Sequence, residues 1–250
     1  MDISRPAEDP GNAVGTNTVG TAPPELTTAA ELISRARTLA AGGTRRILGI
    51  TGAPGAGKST VAAQLVKALG PNIAVLVPMD GFHLANSILR DLGRHGRKGA
   101  PDTFDDGGYA ALLQRLRFQL ADEPVIFAPD FRRDLEESIG SAISIPHTVP
   151  LVVTEGNYLL LPNSSWPRAR AAMDEVWYLA ADAAVRRERL IRRHARFGKS
   201  RAEARKWALG SDEANARIIR RHARRADVVV RLADAGRAAG HSFSAPPTGG

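Results

Sequence analysis

Ile47-Leu48-Gly49-Ile50-Thr51-Gly52-Ala53-Pro54-Gly55-Ala56-Gly57-Lys58-Ser59-Thr60 joins a short apolar run to a glycine-rich loop closed by Lys-Ser-Thr. The loop fits G-x-x-x-x-G-K-[ST], and its surroundings suit that motif. The run Ile47–Thr51 predicts a buried strand, and Ser59–Leu69 predicts a helix that stops at Gly70-Pro71. Glycines let backbone N–H groups wrap a phosphate, and the helix N-terminus adds the positive end of its dipole. The segment Gly52, Ala53, Pro54, Gly55, Ala56, Gly57, Lys58, Ser59, Thr60 is therefore expected to bind ATP. In that reading Lys58 neutralises the β and γ phosphates, Ser59 ligates Mg2+ and Thr60 reaches the α-phosphate. Such a loop shows nucleotide binding alone, because kinases, GTPases and motor ATPases share it.

Outward from the loop, Thr27–Ala41 predicts a helix capped by Thr27 or Thr28, and Ile73–Val77 a second buried strand. Apolar residues recur at helical spacing over Gly107–Leu120, while Val125–Ala128 and Ala142–Ile145 read as short strands. Leu151–Thr154, Glu175–Leu179 and Val228–Leu232 complete a set of five buried strands. None alternates with period two, and helices fall between them. That pattern predicts a P-loop NTPase fold, three layers α/β/α around a mostly parallel five-stranded sheet, with a helical lid. Residues 1–25 and 236–250 are rich in Pro and Gly with few large apolar groups and read as tails, leaving one domain over 26–235.

The 250 residues are 43% hydrophobic and 24% charged, the balance of an ordinary globular protein, and no stretch is long and apolar enough for a membrane span. With no cysteine, disulfides, thiolate metal sites and thiol nucleophiles are excluded. A start without a basic and then apolar segment leads us to expect a cytoplasmic protein. The net charge of +8 is local: residues 186–225 hold 15 Lys and Arg against four Asp and Glu, so the remainder nets −3. Such a segment fits a phosphate-handling lid better than a general polyanion surface, and no nucleic-acid partner is expected. Arg186, Arg189, Arg193 and Arg196 share a helical face, a pattern open equally to a solvated basic helix. In a lid, Arg189 and Arg193 stabilise charge on the transferred group, with Gly198 as hinge.

Two acids complete the chemistry. Asp80, in Pro78-Met79-Asp80-Gly81-Phe82-His83, follows the second strand and can act as general base; a turn Asp before Gly is the plain alternative. Glu155, in Thr154-Glu155-Gly156-Asn157-Tyr158, follows the third strand and suits Mg2+ binding, with a turn acid again the alternative. Both lie where open α/β sheets bind ligands.

In content and order these segments resemble the uridine kinase, phosphoribulokinase and bacterial-type pantothenate kinase superfamily over most of residues 45–232. Met79–Phe82 is similar to the family's Asp-Gly-Phe, whose Asp is the catalytic base. Arg97-Lys98-Gly99-Ala100-Pro101-Asp102-Thr103-Phe104-Asp105 is similar to a pantothenate kinase segment whose Lys lies at the acceptor. Asn215 and Arg224–Asp227 resemble a C-terminal stretch whose Asn contacts ligand. Asp-Gly-Phe-His, Gly-Arg-Lys-Gly-Ala-Pro-x-Thr-Phe-Asp and Thr-Glu-Gly-Asn-Tyr-Leu-Leu are similar to a bacterial group of nucleoside/nucleotide kinase-like proteins, some labelled fructose transport system kinases. In Ala128–Arg133, Arg replaces the small or aromatic residues of uridine kinases. The resemblance implies an ATP- and Mg2+-dependent kinase of a small hydroxyl-bearing acceptor such as a sugar, nucleoside or pantothenate-like compound, with Asp80 and Lys58 at the chemistry. Acceptor contacts are expected from His83, Arg97, Lys98, Asp130, Arg133, Glu155 and Tyr158, and Asn215 is expected at the nucleotide. A homodimer is compatible with it. The alternative is a regulatory nucleotide-binding module with no small-molecule acceptor.

Overall fold

Strand and helix boundaries follow the punctuation of the sequence. In this computed structural model, which describes residues 22–232, helix α1 (Ala29–Ala40) begins where Thr28 and Glu31 form a reciprocal cap. Thr28 Oγ1 accepts from the Glu31 N–H at 3.2 Å, and the Glu31 carboxylate accepts from the Thr28 N–H at 2.9 Å. Strand β2 (Arg46–Thr51) leads through the glycine loop into α2 (Lys58–Leu69), which Gly70 ends. Strand β3 (Ala74–Pro78) runs into a single 3-10 turn, Met79–Phe82, and then into α3 (Asn86–Asp91) and α4 (Asp106–Arg117). After the pair β4 (Val125–Arg132) and β5 (Glu137–Pro146) come β6 (Leu151–Gly156), α5 (Trp166–Ala171) and β7 (Glu175–Leu179). Three helices, α6 (Ala183–Arg196), α7 (Arg201–Leu209) and α8 (Ser211–Arg221), precede β8 (Val228–Val230).

The sheet is parallel throughout and is a three-layer α/β/α arrangement. Its order is β1-β8-β7-β2-β6-β3, with β1 the two residues Glu25–Leu26. Successive β2 residues serve opposite layers. Leu48 and Ile50 pack with Leu32 and Ile33 of α1 and Val61 and Leu65 of α2. Ile47 packs on the other face with Leu113 of α4, Trp166 of α5 and Ile219 of α8. Burial on both faces is why these strands read as continuous apolar runs rather than alternating ones.

Two features depart from expectation. The sheet has six strands rather than five, because Glu25 and Leu26, at the boundary of the expected tail, pair with Val229 and Val230. The two short strands expected near 125 and 145 are longer, and they pair antiparallel with each other outside the main sheet. The rest of the expected tails, residues 1–21 and 236–250, lies outside the described residues.

Candidate active site

The sheet order puts three strand ends in a row. β2 lies beside β6, and β6 beside β3, with Thr51 opposite Gly156 and Pro78 opposite Glu155. The glycine loop, Glu155 and Asp80 therefore share the carboxyl edge, at the point where the chain leaves β2 for β3 and later returns through β6 and β7. Ser59 Oγ donates to Glu155 Oε1 at 2.8 Å. Lys58 is 8% exposed and Glu155 5% exposed. Burial pulls the Lys58 ammonium below its ordinary pKa; it pushes the Glu155 carboxyl up, and the charge of Asp80 adds to that rise. Lys58 Nζ donates to Asn157 Oδ1 at 2.6 Å. Asn157 was not expected at the site. Its signal was present in the sequence, two residues beyond Glu155 on the same strand exit.

Asp80 sits in the 3-10 turn after β3, where Arg133 Nη2 holds its Oδ2 at 3.2 Å. Gly81 permits this turn to touch β4: a Cβ there would lie 2.3 Å from the Pro129 carbonyl oxygen. His83 packs against the rings of Phe104 and Phe131 at centroid distances of 4.0 and 4.7 Å. Its Nδ1 donates to the Asp80 carbonyl at 2.8 Å, since a carbonyl can only accept. Burial lowers the His83 pKa, and the charges of Lys98 and Arg133 add to the fall against the charge of Asp80 and the bond to its carbonyl, which favours the neutral ring. Lys98 Nζ donates to Asn86 Oδ1 at 2.7 Å and to the Glu136 carbonyl, and lies 5.2 Å from the Phe131 ring centroid. Among the described residues it makes no ion pair with a carboxylate.

These groups line one cavity of about 470 Å³, roofed by α6, α7 and α8. Arg193, His194, Trp207, Asp212 and Asn215 face it from that side, and His194 Nε2 lies 2.7 Å from Asp212 Oδ2. Arg189 stays at the glycine loop, its Nη1 3.5 Å from the Ala56 carbonyl. Arg186, expected on the lid face with Arg189 and Arg193, is buried instead. It donates to the Pro54 carbonyl at 3.1 Å and pairs with Glu213.

Lys58, Ser59, Asp80, His83, Lys98, Arg133, Glu155, Arg193 and Asn215 thus meet around one cavity. Three expected acceptor contacts do not line it. Arg97 pairs with Asp102, Asp130 accepts from the Phe131 N–H at 2.9 Å, and Tyr158 is buried with its hydroxyl on the Gly99 carbonyl. Asn215, expected at the nucleotide, donates to that same Gly99 carbonyl at 3.4 Å. Among the described residues no helix is long and apolar enough to cross a membrane.

Comparison with known proteins agrees with this layout. The family model of the methylmalonyl Co-A mutase-associated GTPase MeaB matches residues 16–92, less than half of the chain and centred on the glycine loop. An ATP-dependent kinase-like protein, notR', of Aspergillus versicolor is 36% identical over 125 residues, 48% of this chain and 73% of that protein. A proposed uridine kinase, C227.14, of Schizosaccharomyces pombe is 33% identical over 182 residues, covering 68% of this chain and 75% of its own. The crystal structure of a proposed fructose transport system kinase from Silicibacter sp. TM1040 is 33% identical, covers 82% of this chain and 99% of that one, and superposes with a TM-score of 0.73. With a buried P-loop lysine, two carboxylates on neighbouring strand ends and relatives spanning most of its length, the chain belongs to the P-loop kinases of the uridine kinase-like superfamily.

Proposed function

We propose that the protein transfers the γ-phosphoryl group of ATP to an alcohol oxygen of a small acceptor that itself carries a negative charge. The observation that carries this reading is the position of Asp80: its carboxylate lines the same cavity as Lys58 and Ser59, one strand away from Glu155. With Arg133 on one carboxylate oxygen, the other is left to accept the proton of an attacking hydroxyl. Lys58 and Arg193 supply positive charge where the transferred group gathers negative charge, beneath the roof of helices α6 to α8. Ser59 and Glu155 offer a hydroxyl and a carboxylate oxygen side by side, hard donors that fit Mg2+, an ion that takes few protein ligands and completes its shell with phosphate and water. When bound, Mg2+ would neutralise negative charge on the phosphates. The preference for an anionic acceptor rests on Lys98, held by an amide oxygen, a carbonyl and a ring rather than by a carboxylate. Glu136 and Glu137 act on its charge without binding it, and one of its three N–H donors is left for a ligand.

A second reading, a regulatory nucleotide-binding module, is favoured by one observation, the GTPase family model over residues 16–92. That match ends before β6 and the helices that roof the cavity.

The test is ADP release from Mg-ATP across acceptors offered in pairs, each skeleton with and without a phosphate or carboxylate, with Asp80→Asn beside the wild type. We expect the charged member of one pair to raise turnover, and the variant to lose that rise by about 10²–10⁴-fold while still binding nucleotide. A rise with the uncharged member alone would overturn the acceptor class. Flat rates with every acceptor, despite tight Mg-ATP binding, would favour the regulatory module.

A further inference from the structure

The carboxylate of Glu213 does not line the cavity, yet it is the hub that fastens the roof to the phosphate loop. Arg186, four residues beyond the cap of α6, is 1% exposed, and Glu213 on α8 is 9% exposed. One end of the Arg186 guanidinium donates to the Pro54 carbonyl at 3.1 Å, and the other pairs with Glu213 Oε2. Two further arginines converge on the same carboxylate, Arg187 at 3.3 Å and Arg220 at 3.0 Å. Close packing accompanies the bond. Gly55 has φ +79°, and a Cβ there would lie 2.7 Å from the Arg186 carbonyl oxygen and 2.8 Å from Leu190 Cγ, so only glycine lets α6 rest on the loop.

We propose that Glu213 is a positioning residue for nucleotide binding, acting through Arg186 on the Pro54–Gly55 peptide of the phosphate loop; this rests on the ATP reading above. The described peptide bonds are all trans, and a trans peptide carries its carbonyl and the following N–H on opposite sides. Holding the Pro54 carbonyl on Arg186 therefore turns the Gly55 N–H away from α6, and Gly55 is one of the residues that line the cavity. An unpinned loop samples other orientations of that donor, and binding then has to select one of them. The same turn of α8 reaches two other walls. Asp212 bonds His194 of α6, and Asn215 bonds the Gly99 carbonyl. The first turns of α6 and of α8 are thereby fixed walls, which leaves any closing movement to α7 and the connection that opens at Gly198, φ +92°.

The test is the dissociation constant of Mg-ATP, by titration calorimetry, beside the melting temperature of each sample. Arg186→Met/Glu213→Met replaces the buried pair by apolar side chains of similar length, a change that buried ion pairs commonly tolerate. We expect this variant to melt near the wild type yet bind Mg-ATP more weakly, on the order of tenfold, the worth of one charge-assisted hydrogen bond. Arg115→Met on α4, which breaks the exposed pair with Glu123 and shares no partner with Glu213, should leave the affinity within about twofold. Glu213→Gln, titrated below its own melting transition, should lose affinity as the double variant does, and Glu213→Asp should regain part of it. A folded double variant, or a folded Glu213→Gln, that binds Mg-ATP as tightly as wild type overturns the proposal and leaves the ATP reading intact. A wild type that binds no Mg-ATP overturns both.

Discussion

Gly81 ties a backbone requirement to the proposed general base. The Pro129 carbonyl would lie 2.3 Å from any Cβ at this position, so alanine forces the Asp80 turn or strand β4 to move. Gly81→Ala should cost about 1–3 kcal/mol of stability, read as a lower melting temperature. It should also slow transfer by more than the loss of folded protein explains, with Mg-ATP affinity little changed because Lys58 and Ser59 lie on a different strand end. The residues that could be read from the sequence at this scale are those whose spacing is set by local backbone chemistry: Lys58 and Ser59 at the end of a glycine loop, Asp80 and Glu155 at the ends of apolar runs. Asn157 and Glu213 escaped because their partners lie 99 and 27 residues away along the chain. Arg97, Asp130 and Tyr158 have the right chemistry within the right motifs, yet each is engaged elsewhere, by Asp102, the Phe131 N–H and the Gly99 carbonyl.

Helix α1 shows what an element owes to its first turn. Thr28 and Glu31 satisfy each other's backbone N–H groups, and α1 contributes Leu32, Ile33 and Ala36 to one layer of the core. Thr28→Ala should cost about 1 kcal/mol and lower the melting temperature by about 2–4 °C, with Mg-ATP affinity unchanged; calorimetry and titration check both halves. The buried strands and the capped helices carry their own signals, which is why they were legible. The hairpin β4–β5 was legible only in part, because a bulge between Ala128 and Asp130 breaks its register and Pro129 sits within the strand. Strand β1 was not legible at all, since two residues give no periodicity and their reason for being extended is β8, about 200 residues on.

Across the whole molecule, the arginine-rich segment that dominates the net charge is partly neutralised inside the fold. Burial alone would raise the Glu213 carboxyl, but hydrogen bonds from Arg187, Arg220 and Arg186 bring it down to about 2 from the ordinary 4.5. A carboxylate depressed on folding contributes stability that is present above its unfolded value and is lost as pH falls through its folded one. Acidification from pH 4.5 to 2 should therefore remove on the order of 2 kcal/mol through this group alone. Asp174 adds to the same limb: against its burial, the Ile47 N–H, Arg117 and Arg46 hold its carboxyl below the ordinary value. Melting temperatures followed across that range should fall less steeply in Glu213→Gln than in wild type; equal slopes would remove Glu213 from the acid limb.

Edge strand β1 has one more consequence. The Pro24 carbonyl accepts from the Val229 N–H, and the Leu26 carbonyl from the Arg231 N–H, each at 2.9 Å, so the chain enters and leaves the described fold at neighbouring points. Because β1 and β8 run parallel, joining their ends takes a crossover of about a dozen residues, and the chain can be opened instead at the exposed residues 120–122 between α4 and β4. Such a circular permutant keeps every strand beside its present neighbour. Phosphate loop, Asp80 and Glu155 would still meet at one edge, because what the site requires is the order of strands in space and not their order along the polypeptide.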